Sequence, residues 1–219
     1  MLKYKSICFA VFFLLLSTSL FSQEKDTIIS TPFKKEKWLI GLSGSFSSNT
    51  NNISSTSKTN STNNYGLEIK IGKFKKDRWL LGGVLLAERN NGNGNIKRDV
   101  ESFFLAPMTS YYFSMSKDGS LFISLAAGYI KYREENTFTS NSDNLKEILN
   151  GNGLGLVVNL GYSYPITNHV TFDIGVNLTN YWLTINKESN GSSSFLNTSA
   201  KIDGVNFAFG FNVLLDKLF

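Results

Sequence analysis

The chain has 219 residues, 42% hydrophobic, 14% aromatic and 18% charged, with a formal net charge of +5, one cysteine and one histidine. That length suits one domain, and so few Cys and His exclude a disulfide framework and a transition-metal centre by ligand count. The basic surplus is lysine-rich and does not alternate with base-stacking aromatics along a groove, which excludes a nucleic-acid reader.

The first element, MLKYKSICFAVFFLLLSTSLFSQ, places Lys3 and Lys5 before an uncharged apolar run from Ile7 to Leu16, then small and polar residues up to Ser22 and Gln23. This is the three-part plan of a signal peptide at 1–22, cleaved after Ser22. The run falls short of the roughly 20 residues a spanning helix needs. Cys8 precedes most of that apolar core, whereas a lipid-attachment cysteine would follow it. The mature chain of 197 residues then carries a charge of +3 and no thiol.

After a polar lead, eight runs read as strands: 37–46, 65–74, 78–88, 101–115, 121–132, 153–164, 169–182 and 204–215. Bulky apolar residues recur in them at every second position, the period of a strand. Their lengths approach the roughly 9 to 11 residues with which a tilted strand crosses a bilayer. Three connections are tight (KKD, SKDGS, PITN) and four are long and polar, alternating so that all four long ones fall at one end of the sheet. The first, at 47–64, is almost entirely Ser, Asn and Thr and is expected to be mobile. Pro107 sits inside the fourth run, where it cannot donate to a ladder, so a bulge or a locally unpaired stretch is expected there.

The two faces of each strand differ in size. Val205, Phe207, Phe209, Phe211 and Val213 share one face of the last strand, opposite Asn206, Ala208, Gly210 and Asn212. An eight-stranded barrel is just wide enough for side chains to fill it, so the small and polar face is expected inside and the bulky face against lipid. The fold class is therefore an all-β, eight-stranded antiparallel up-and-down transmembrane β-barrel. It comprises the signal peptide at 1–22, a short periplasmic N-terminal extension at 23–36 and the barrel domain at 37–219. Glu68, Lys70, Asp173, Asn159 and Asn177 are the polar interior. Two aromatic girdles mark the membrane interfaces, represented by Trp38, Trp79, Tyr111 and Tyr162 at the turn end and Tyr181 and Trp182 at the loop end; Tyr112 and Tyr132 join them. A lysine-rich surplus at the turn end would face anionic headgroups or, equally, form a solvated cluster that blocks aggregation.

LAPMTSYYFSMSKDGSLFISLAAGY (105–129) resembles a strand, turn and strand of the small outer-membrane β-barrel proteins of Bacteroidota, and GYSYPITNHVTFDIGVNL (161–178) is similar to the next turn and strand of that family. The pattern there frequently places an Arg where this chain has Ser110. Terminal Phe219 resembles the aromatic end signal read by the barrel-assembly machinery. The resemblance implies outer-membrane insertion in a Gram-negative cell and a barrel of the OmpA and OmpX type, but no single activity.

Catalytic chemistry lacks its parts. The one histidine, His169, follows the PITN turn and so lies at the end opposite the long loops, which leaves no Ser-His-acid set there. Glu134, Glu135 and Asp143 have the chemistry to hold a calcium ion but not the spacing of a calcium loop, and read as a solvated acidic cluster. The expectation is a non-enzyme without catalytic residues, metal or other cofactor. It would be a monomeric integral outer-membrane protein, exported by its cleaved signal peptide, whose partners are membrane lipid and, during biogenesis, the assembly machinery. Four polar extracellular loops would serve a structural or surface-interaction role toward an unidentified partner. The alternatives are a lipid-modifying outer-membrane enzyme and a small porin-like channel, the latter opposed by a lumen plugged with polar side chains.

Overall fold

The computed structural model describes residues 31–53, 58–93, 96–114, 116–139, 144–189 and 192–218. The signal-peptide reading, the first part of the extension, Asp143 and Phe219 lie outside them. Eight strands alternate along the chain: β1 (Trp38–Ile53), β2 (Lys58–Lys76), β3 (Trp79–Asn93), β4 (Ile96–Tyr112), β5 (Ser120–Thr139), β6 (Asn144–Pro165), β7 (Val170–Ser189) and β8 (Ser192–Leu215). Each pairs antiparallel with its neighbour and β8 pairs with β1, closing the barrel. Closure removes the free edges that an open sheet would leave across its apolar zone.

The register fixes the tilt. A path perpendicular to the strands from Arg89 on β3 through Tyr65, Phe46, Phe207, Val176, Leu160, Ile123 and Tyr111 returns to β3 at Trp79, ten residues away. Closing the ring over such a stagger inclines the strands by about 40° to the axis.

The faces divide as the alternation predicts. Leu42, Leu105, Leu125, Leu154, Phe207, Phe209 and Phe211 lie exposed on the outer wall, while Ser43, Ser124, Asn206, Ala208 and Asn212 are buried inside. Pro107 pairs with Gly83 on β3 but is skipped on the β5 side, between Leu105↔Tyr129 and Met108↔Ala126, with no shift of register. The missing amide hydrogen thus falls in a locally unpaired stretch.

Three sequence expectations need correction. The strands run 15 to 24 residues, well beyond what a bilayer needs. Most of each long polar connection is strand, including 47–53 and 58–64 of the stretch expected to be mobile, because cross-strand pairing satisfies polar backbone without an apolar face. Second, the lead does not stop short of the barrel: Phe33 is fully buried, and the Arg78 and Glu36 amides donate to the Phe33 and Phe74 carbonyls at 2.8 and 2.9 Å. Third, Tyr112, Tyr132 and Tyr181, expected at the membrane interfaces, point into the lumen at 1%, 4% and 3% exposure. Their positions share the parity of the small face, which outranks their aromatic character.

Candidate functional site

The lumen has three levels. At the turn end Phe33 stacks on Tyr112 with centroids 4.1 Å apart, Phe74 and Phe122 lie within 5.6 Å of the same tyrosine ring, and buried Leu39, Leu80 and Leu214 fill in around them. The lead is held over this plug by the Lys35 amide, which donates to Asp77 Oδ1 at 2.8 Å, and by a Lys73–Glu36 ion pair. Glu36 titrates below its ordinary value because the Lys73 ammonium hydrogen-bonds its carboxylate.

Above the plug sits a buried ion pair. Lys70 Nζ lies 2.9 Å from Asp173 Oδ2, both side chains 6% exposed. Asp173 Oδ1 accepts from Ser163 Oγ at 2.5 Å, and Thr171 Oγ1 accepts in turn from Asn212 Nδ2 at 2.9 Å. Glu68 is also buried and lies within electrostatic reach of Lys70 and Asp173. These residues meet because β1 supplies Gly41 beside Lys70: a Cβ there would come within 2.5 Å of Lys70 Cε. Of the expected interior residues, Lys70 and Asp173 pair directly and Glu68 and Asn177 lie beside them. Asn159 shares with Glu68, Lys70, Met108 and Ser124 the lining of a small cavity of about 20 Å³. That volume admits about one water at most.

Toward the loops the lumen widens into a vestibule of about 330 Å³. Its floor is Glu88, whose carboxylate accepts from Asn206 Nδ2 at 2.9 Å, Tyr181 Oη at 3.3 Å and Ser102 Oγ at 3.4 Å. Tyr181 packs against Phe104 across Gly155, where a Cβ would come within 2.8 Å of either ring. On the wall, Arg98 Nε and Nη2 grip Glu134 at 2.8 Å each, and Tyr132 Oη donates to the same carboxylate at 2.5 Å. Burial opposes ionisation of Glu134, yet the hydrogen bonds from Arg98, Tyr132 and Asn136 outweigh it and hold its pKa below the ordinary 4.5. Glu135 is gripped by Lys146 at 2.7 Å. Two of the three acids read as a solvated cluster are therefore bound to bases.

Sequence reasoning missed Glu88, Arg98 and Phe33, and it placed Tyr132 and Tyr181 at the membrane interface instead of in the lumen. Glu88 and Tyr181 carry a legible signal, since each continues the small-face parity of its strand; Phe33, one aromatic in a polar lead, carries almost none.

The wall also settles where the expected interface aromatics sit. Trp79, Tyr111, Tyr162 and Trp182 are exposed on the outside, and Trp38 is half-buried beneath Lys73, whose ammonium lies 5.9 Å from its ring. His169 is exposed in the turn between β6 and β7, where its carbonyl accepts from the Leu214 amide at 2.7 Å. The hydroxyls of Ser47, Ser102 and Thr179 in the vestibule therefore have no imidazole near them, and no group of three or more metal-ligating side chains occurs among the described residues.

No protein-family model matches the chain, and no curated protein matches it. Solved structures do. The outer membrane protein OprG from Pseudomonas aeruginosa superimposes with a TM-score of 0.53 at 15% identity, over 85% of this chain and 99% of that one. Neisserial surface protein A matches at TM-score 0.48 and 15% identity, over 82% and 97% of the two chains. The translocator domain of autotransporter NalP from Neisseria meningitidis matches at 0.47 and 12%, over 95% and 69%. The OprG likeness shows that this chain has the fold of an outer-membrane β-barrel.

Proposed function

We propose that the protein is an integral outer-membrane β-barrel with a sealed lumen and a structural or surface-interaction role, presenting four polar hairpins outside the cell. It is a monomer, without enzymatic activity, and belongs with the OmpA and OmpX type barrels of Bacteroidota. The observation that carries this reading is the continuous outer face of Leu, Ile, Val and Phe side chains. Water would not tolerate so large an apolar band, whereas hydrocarbon does, and a closed barrel leaves no unpaired backbone to face it.

The test is the state of the expressed protein in its membrane. It should float with the outer-membrane fraction, resist extraction without detergent, and migrate faster on gels unheated than boiled. A protein that is monodisperse in detergent-free buffer would refute the proposal. The hairpins are the recognition surface, since loops on a rigid scaffold carry most binding functions; deletion of all four should abolish surface binding yet leave insertion intact.

The channel alternative is opposed by the aromatic plug, the buried ion pair and the single-water cavity between Glu68 and Asn159. The enzyme alternative is opposed by the distance in the fold between His169 and the vestibule hydroxyls, and would return if deleting the gene changed the mass of the cell's lipid A.

A further inference from the structure

On the outer wall, just above the apolar belt, β2 to β5 enclose a groove of about 610 Å³. The register explains its shape. One cross-strand row runs Leu67, Ala87, Phe103 and Lys131, so the small Ala87 leaves a trough between a leucine and a phenylalanine. The row beneath it, through Leu85 and Leu105, is apolar, and the row above brings Tyr65, Arg89, Glu101 and Arg133 together.

Its charge is as particular as its shape. Arg89 and Lys131 are exposed and form no ion pair among the described residues. Arg133 lies 3.7 Å from Glu135, which Lys146 holds more closely at 2.7 Å. Two acids line the groove: Glu88, whose carboxylate is turned into the lumen and held by Ser102, Tyr181 and Asn206, and Glu101, which sits between Arg89 and Arg133 in the register; against the three bases Arg89, Lys131 and Arg133, the rim keeps a cationic surplus. Apolar trough below and bare cations above, with Tyr65, Phe103 and Tyr129 exposed alongside at the boundary, match the order of an acyl chain and its charged headgroup.

We propose that this groove binds one phosphorylated lipid of the outer leaflet, its phosphate between Arg89 and Lys131 and an acyl chain along the trough over Ala87. The inference rests on the membrane reading above and adds a specific ligand class to it. A lipid held there would brace β2 to β5 where they leave the bilayer.

The intact protein, purified in detergent, is titrated by native mass spectrometry with monophosphoryl lipid A and with the same lipid stripped of phosphate. The phosphorylated lipid should bind preferentially. R89Q/K131Q should weaken it about twenty- to thirtyfold, roughly fivefold per charge, and leave the dephosphorylated lipid unchanged. A87L, which fills the trough, should weaken both lipids alike. Equal binding of the two lipids, or an unaltered double variant, would overturn the proposal. Inorganic phosphate binding as tightly as the lipid would also overturn it, by showing a free-anion site. A variant counts only if its unheated gel mobility is that of the folded barrel. A barrel that floats with membranes but shows no phosphate preference sinks this inference alone; one soluble without detergent sinks the membrane reading with it.

Discussion

Lys70 and Asp173 are the sharpest test at the scale of single residues. Removing one member of a buried pair strands the other's charge, which typically costs about 3 to 5 kcal/mol, whereas replacing both with apolar groups is often neutral. Lys70→Met, which leaves both Asp173 and Glu68 without their cation, should therefore lower the urea midpoint of the barrel in lipid clearly, and adding Asp173→Leu with Glu68→Gln should restore most of it. Gly155 tests packing instead of charge. A valine there meets Phe104 and Tyr181 at once and should cost about 1 to 3 kcal/mol by overpacking. Glu134 gives a pH dependence of known sign. Its folded pKa lies below 4.5, so its contribution is full above that value and is lost as pH falls through the lower folded value. Hydrogen exchange in the β4–β5 hairpin should thus accelerate as the medium is acidified below the ordinary carboxylate value of 4.5 and stay constant through the neutral range, and Glu134→Gln should remove that step.

At the scale of elements, the lead and the strand ends divide what the sequence discloses from what it conceals. Phe33→Ala should leave the unheated gel mobility of the barrel unchanged but speed tryptic cleavage at Lys34 and Lys35, because the buried ring is the apolar anchor of a segment otherwise held by a few backbone bonds, the Asp77 carboxylate and the exposed Lys73–Glu36 pair. Period-two alternation located all eight strands and their inner faces, and Pro107 interrupted its ladder where an imino acid must. Hairpin extensions such as Ser47–Ile53 were illegible, since Asn, Ser and Thr read as loop unless a partner strand is known to stand opposite. The inward tyrosines were misplaced for a related reason. Position along a strand gives height, but only parity gives the face, and Tyr112, Tyr132 and Tyr181 obey parity. Long-range groupings such as Glu88 with Asn206 depend on β3 and β8 curving toward a common axis, which no local window contains.

For the whole molecule, the plug, ion pair and vestibule make a lumen that is open toward the hairpins and shut toward the turns. Planar-bilayer recordings of the purified protein should show no steady conductance, and sustained solute-sized currents would contradict the sealed lumen. The ring is also unevenly sewn. β1 and β8 share nine register pairs, from Trp38↔Leu215 to Phe46↔Phe207, while β8 continues against β7 up to Ser192. The two strands that meet there lie at opposite ends of the polypeptide, so this join demands the largest loop-closure entropy of any in the sheet. Loop-closure entropy therefore favours forming that seam last, after the seven hairpin pairings, and a delay in docking β8 would leave the cylinder unclosed with two bare edges facing lipid.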